Sequence, residues 1–107
     1  AKLSNPISGI NEILPTKIKL TNYPNPFNPQ TTITFDLPGE QTVSLRVYDV
    51  VGRLLDILLN DEVVQEGRNE IVWRGRDESG RVVPAGVYFY RLKAGGFSET
   101  KRMTLVK

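Results

Sequence analysis

The residues that could do chemistry in this sequence are defined first by those that are missing. Histidine and cysteine are both absent. The commonest general base and metal ligand is therefore gone, and neither a Ser–His nor a Cys–His nucleophile pair can form. Disulfides and thiolate metal sites are excluded as well. Twelve acidic residues remain, and two adjacent pairs, Asp61-Glu62 and Asp77-Glu78, offer a carboxylate couple of the kind that cleaves glycosidic bonds. Both pairs lie in polar stretches, where Asp serves local turn hydrogen bonds, so solvated turn charges are the simpler reading. Asp77-Glu78-Ser79-Gly80 lacks the alternating oxygen ligands of a calcium loop. Phosphate-cradling glycine motifs do not occur. The expectation is a chain without catalysis, metal or cofactor.

Binding chemistry has more to work with. Trp73 shares a face with Ile71 and reads as a core anchor, since a Trp buries on the order of 150–250 Å². Gly86-Val87-Tyr88-Phe89-Tyr90 resembles the G-x-Y-x-C run of immunoglobulin strands, with Tyr90 at the cysteine position. Tyr88 would then form a tyrosine corner, its hydroxyl bonded to backbone upstream. Tyr48, Phe89 and Phe97 are candidate surface aromatics, which if coplanar could hold sugar rings or a partner protein. Arg68, Arg74, Arg76 and Arg81 cluster around one hairpin, and Lys93, Lys101, Arg102 and Lys107 load the last one. These charges read either as a solvated rim that guards edge strands or as a docking surface for an anionic partner.

The elements that must position these residues follow from alternation. Ile18 and Leu20 lie on one side of a short strand over 17–22. Asn22-Tyr23-Pro24-Asn25-Pro26-Phe27-Asn28-Pro29 then removes three amide donors within six residues, which predicts a stiff extended crossing outside any central strand. Strands follow at 31–37, with Ile33, Phe35 and Leu37 inward, and at 43–48, with Val43, Leu45 and Val47 inward. Asp49-Val50-Val51-Gly52 reads as a tight turn with a positive φ at Gly52. The next run, 53–59, is ambiguous: Val51, Leu54, Leu55, Leu58 and Leu59 recur at helical spacing, while the hairpin context favours a strand. A polar loop over 60–68, a strand at 69–73, a type I turn at Asp77–Gly80 and a final hairpin, 87–94 and 97–106 around Gly95-Gly96, complete seven strands. Met103 and Leu105 are the expected core contacts of the last. Short strands with turns at this spacing indicate an all-β, Ig-like antiparallel sandwich.

A chain of 107 residues suits one domain. Residues 1–16, broken by Pro6, Gly9 and Pro15, read as a linker, with the domain over 17–107. A net charge of +2 gives no argument for nucleic acid. No apolar run approaches the ~20 residues of a membrane span. Lys2 is followed by no apolar h-region, so an export signal is expected elsewhere, as in a domain of a longer protein.

Several of these blocks carry a resemblance together. They are Asn22 to Pro29, Thr32-Ile33-Thr34-Phe35, Val47 to Arg53, Trp73-Arg74-Gly75-Arg76-Asp77, Gly80, Ala85 to Leu92 and Lys101 to Lys107. In that order and spacing the chain resembles the type A C-terminal sorting domain of the type IX (Por) secretion system. It is also similar to the Ig-like domain of the flagellar hook-capping protein. One departure is Arg74, which stands where an acidic residue is common. The resemblance covers about residues 17–107 and implies an Ig-like sandwich, with a strand at 53–59. It implies attachment to a large parent protein that reaches the periplasm of a Gram-negative bacterium by its own signal. The sandwich is then read at the outer-membrane translocon, and the parent is secreted or displayed on the cell surface. A surface peptidase cuts in the preceding linker. Lys101, Arg102, Met103, Thr104, Leu105, Val106 and Lys107 match the signal-bearing end. Tyr23, Pro24, Asn25, Pro26, Phe27, Asn28, Pro29, Trp73, Asp77, Gly80, Gly86, Tyr88 and Tyr90 would be structural.

Two other readings stay open: a carbohydrate-binding module using Tyr48, Phe89 and Phe97, and a passive Ig-like spacer or assembly module. An exposed edge strand could also pair two copies weakly.

Overall fold

The computed structural model describes residues 18–107; the linker expected over 1–16 lies outside them. The described residues form seven strands and no helix: β1 (Leu20–Tyr23), β2 (Thr31–Leu37), β3 (Gln41–Tyr48), β4 (Leu54–Val64), β5 (Gly67–Trp73), β6 (Gly86–Ala94) and β7 (Phe97–Leu105). They pair antiparallel into two sheets, β1-β2-β5 and β4-β3-β6-β7. The inner faces share one core, as in a sandwich. The fold is therefore the Ig-like all-β sandwich that strand count and spacing predicted.

Strict alternation sets the inner face. Ile33, Phe35, Val43, Leu45, Val47 and Leu92 are wholly buried, and Tyr88, Tyr90 and Ala94 lie on the same side of β6 as Leu92. The polar alternates between them face solvent, because a strand sends successive side chains to opposite sides. Ser44 is an exception. It is buried on the outer side of β3, where its hydroxyl donates to Asp61 Oδ1 at 2.6 Å and accepts from the Asp61 amide at 3.2 Å.

Three segments depart from expectation. The run with leucines at helical spacing is the strand that the hairpin context favoured, but it continues to Val64 instead of yielding to a loop at residue 60. Register shifts between Val43 and Leu45, between Leu45 and Arg46 and between Val47 and Tyr48 explain the helix-like spacing. Each bulge sets an extra residue against one on the partner strand, so apolar side chains at non-alternating positions can still reach the core. Leu59 is buried, and Leu55 and Leu58 pack against the core. The polar Asn60–Glu62 stretch remains in the strand because β4 is an edge, open to water on one side. The first strand begins at Leu20, three residues later than expected, although Ile18 is already buried. The proline segment is a series of bends around Phe27 and not an extended crossing. Phe27 pairs in parallel with Leu105 and its ring is buried, which draws the chain inward between solvent-exposed prolines.

Candidate functional site

The proline segment closes an edge. In β7, the amide of Thr104 and the carbonyls of Arg102 and Thr104 point away from β6, where an edge strand leaves them open for pairing. Asn25 answers with its side chain: Oδ1 accepts from the Thr104 amide at 3.0 Å and Nδ2 donates to the Arg102 carbonyl at 3.3 Å. A side-chain amide thus copies one peptide unit of a neighbouring strand. Phe27 continues with backbone, its amide donating to the Thr104 carbonyl and its carbonyl accepting from the Val106 amide, both at 2.9 Å. Asn22 Oδ1 accepts from the Tyr90 hydroxyl at 3.0 Å and from Asn25 Nδ2 at 3.3 Å. The buried Thr31 hydroxyl donates to the Pro24 carbonyl at 2.8 Å and accepts from Asn22 Nδ2 at 3.1 Å. Prolines suit this segment because their missing amides would face water. Tyr23, at 82% exposure, stands outside the network.

Beneath it lies an aromatic column. The Trp73 ring contacts Phe27 at a centroid distance of 5.8 Å and Tyr88 edge-on at 5.6 Å. Its indole N–H donates to the Arg76 carbonyl at 3.0 Å. The Tyr88 hydroxyl donates to the Pro84 carbonyl at 2.5 Å, four residues upstream, which is the hydrogen bond of a tyrosine corner.

Two turns share one sequence, D-x-x-G-R, at Asp49–Arg53 and Asp77–Arg81. In each, Oδ1 of the Asp accepts from the amides two and four residues on, and Oδ2 accepts from the Arg Nε. The glycine amide donates to the Asp carbonyl. Gly52 and Gly80 hold φ of 86° and 83°, a region an L side chain resists. The turns also touch, the Glu78 amide donating to the Leu55 carbonyl at 2.9 Å. This internal repeat went unnoticed in the sequence, though the paired Asp and Gly-Arg at fixed offset were its signal. Gly86 opens β6 just past the second turn's strand bridge.

These hydrogen bonds make stability depend on pH. Arg53 and Arg81 backbone amides, followed by further donors and the guanidinium charges, hold the Asp49 and Asp77 carboxyls below the ordinary 3.8. As pH falls, the unfolded chain takes up protons first. Stabilisation from both groups is full above 3.8 and is lost as pH drops through their lower folded values. Burial, then the charge of Glu99, pushes the Tyr90 hydroxyl up to about 12. Here the unfolded chain loses its proton first, so stabilisation is full below the ordinary 10 and is lost as pH rises toward 12. Tyr88 shifts the same way, mainly through burial. Melting temperature against pH is expected to fall on both limbs. Asp49→Asn with Asp77→Asn should flatten the acid limb, and Tyr90→Phe the alkaline limb; limbs that keep their slope would reject these assignments.

The seven residues expected at the signal-bearing end divide by burial. Met103 and Leu105 are core, at 0% and 2% exposure. They cannot be touched by a partner while the sandwich is folded, because alternate residues of β7 face the other sheet. Lys101 and Thr104 are half-buried, and Lys101 lines a hollow with Ile18, Lys19, Leu20 and Glu99 between β7 and β1. Arg102, Val106 and Lys107 are exposed. The basic cluster expected around 67–81 is largely engaged locally: Arg68 with Asp36, Arg81 with Asp77, and Arg76 with the Gly80 carbonyl. The three aromatics proposed for sugar binding do not share a plane. Tyr48 and Phe89 are cross-strand neighbours, whereas Phe97 pairs with buried Ala94 and packs against the core.

Comparison with known proteins follows the same lines. The family model of the secretion system C-terminal sorting domain matches residues 21–106. No curated protein sequence matches the chain. Among solved structures, dimeric latent PorU from Porphyromonas gingivalis is similar at 22% identity and a TM-score of 0.71, over 94% of this chain and 10% of that one. PorZ, a surface component of the type IX secretion system of the same organism, is similar at 22% identity and a TM-score of 0.55, over 82% of this chain and 11% of that one. FlgD from P. aeruginosa is similar at 24% identity and a TM-score of 0.55, over 70% and 58%. At these identities the likeness carries the fold. The chain spans about a tenth of the length of PorU and PorZ.

Proposed function

The chain belongs to the secretion system C-terminal sorting domain family, and from that premise we propose that it directs a larger parent protein through an outer-membrane type IX translocon. Domains of this family serve proteins exported through the periplasm of Gram-negative bacteria to the surface or the medium. The match over residues 21–106 is the observation that carries the reading. The domain boundary is placed at Lys17, and a surface peptidase cuts before it. The role is recognition without catalysis.

Physical features support a folded recognition module. The sandwich has its core and its hydrogen-bonded edge without a disulfide. Arg102, Val106 and Lys107 are the exposed part of the proposed recognition end, and Asn25 and Phe27 fix its position on the sandwich. Met103 and Leu105 support that surface from beneath.

The test is a reporter fused to residues 17–107, expressed in a bacterium with a working type IX system. Arg102→Glu combined with Lys107→Glu is expected to leave the melting temperature nearly unchanged, since exposed charges contribute little to stability. Export should fall severalfold, because reversing charges at a complementary contact repels the partner. N-terminal sequencing of released sandwich is expected to start before Ile18. Undiminished export of the folded double variant rejects this recognition surface.

A further inference from the structure

The outer face of the four-stranded sheet carries cations in an unexpected place. Arg46 lies on β3, and Arg91 and Lys93 on β6. Positive charges on edge strands discourage pairing with other chains, but β3 and β6 are the two central strands. No edge needs guarding there. Moreover, Arg46 and Arg91 are direct cross-strand partners, as are Ser44 and Lys93 in the next outward row. Like charges placed opposite each other destabilise a sheet. These residues therefore work against the isolated fold.

Their pairing is incomplete as well. Arg46 Nε is buried without a hydrogen-bond partner, and its Nη2 reaches only Asn60 Oδ1, at 3.4 Å. A guanidinium edge removed from water and left unpaired is costly. The adjoining hollow is lined by Thr42, Ser44, Arg46, Asp61, Lys93 and Gly95. Its carboxylate, Asp61, is already held by Ser44. At the other end of the face the aromatic neighbours Tyr48 and Phe89 lie beside Arg102, the cross-strand partner of Phe89.

We propose that this face docks an acidic polypeptide segment in extended conformation, laid along β6 with alternate carboxylates over Arg91 and Lys93 and an apolar residue over Tyr48 and Phe89. Spacing favours a polypeptide. Outward residues of one strand recur about every 6.8 Å, and so do same-side residues of an extended peptide, which brings successive carboxylates into step with Phe89, Arg91 and Lys93. One carboxylate then lies between the side chains of the cross-strand partners Arg46 and Arg91 and offsets the repulsion between them. The proposal uses Arg46, Arg91 and Lys93, none of which the export reading invokes, and stands or falls without it.

Fluorescence anisotropy of the full chain with a short labelled alternating peptide, Leu-Thr-Glu-Thr-Glu, tests it. The comparison probes are a block-ordered peptide of the same composition and polygalacturonate. The alternating peptide is expected to bind several times more tightly than either and to weaken with added salt. Arg46→Gln and Arg91→Thr should each cut its affinity about tenfold, the scale of a charge-assisted contact. Arg91→Thr should leave the melting temperature level or higher, because it relieves the repulsion with Arg46. Equal binding of the two peptides would reduce the face to unspecific charge and overturn the proposal. Tighter binding of polygalacturonate would overturn it in favour of a glycan. Unchanged affinity in folded Arg91→Thr would overturn it outright.

Discussion

Trp73→Ala is expected to destabilise the sandwich by about 3–5 kcal/mol, the usual cost of deleting a fully buried large aromatic. Trp73 is 1% exposed and stands between Phe27 and Tyr88. Its removal leaves a cavity where three parts of the chain meet: the proline segment, the end of β5 and the start of β6. It also frees the Arg76 carbonyl from its indole donor. For a domain of this size about 1 kcal/mol shifts the melting temperature by roughly 4–8 °C, so a fall of well over 10 °C is expected. Trp73→Phe should recover part of the loss by restoring ring contact without the N–H. The chain has a single tryptophan, so unfolding is best followed by circular dichroism in urea. A loss below about 1 kcal/mol would show that the column is not the anchor that burial implies.

Deleting residues 98–107 is expected to abolish cooperative unfolding altogether. The deletion removes nearly all of β7, including Met103 and Leu105, from the centre of the core. It strips β6 of one hydrogen-bonded neighbour from Gly86 to Ala94. It also orphans Asn25 and Phe27, whose partners are Arg102, Thr104 and Val106. Losing two buried side chains would on its own cost more than about 4 kcal/mol, against a total stability of roughly 5–15 kcal/mol for a typical domain. Loss of export after this truncation would thus report unfolding as readily as lost recognition. The charge reversals at Arg102 and Lys107 separate the two, since they leave the core intact. A truncated chain that still melts in one sharp transition would mean that β7 is dispensable to the fold.

The alternating runs at 31–37, 43–48 and 87–94 determined their own inner faces, because a two-residue period leaves only one way to bury them. Absence of histidine and cysteine narrowed the chemistry before any fold was known. The turns at Gly52 and Gly80 were legible from residue type, since few residues accept a positive φ. Helical spacing in 54–59 kept a helix open beside the favoured strand, because the bulges of the β3–β4 ladder belong to the pairing of two strands and no single strand records them.

The recognition end shows the same division most clearly. Its sequence carried the motif and the basic charge, but only the tertiary structure sorted Met103 and Leu105 inward from Arg102, Val106 and Lys107 outward. Asn25 reads in the sequence as part of a stiff extended crossing, and only the fold sets it against the open edge of β7, 77 positions from Arg102. Nothing in the sequence singles out Arg46 and Arg91; only strand pairing places them side by side on central strands. Local alternation decides which way a side chain points; which side chains it then meets is a property of the closed sandwich alone.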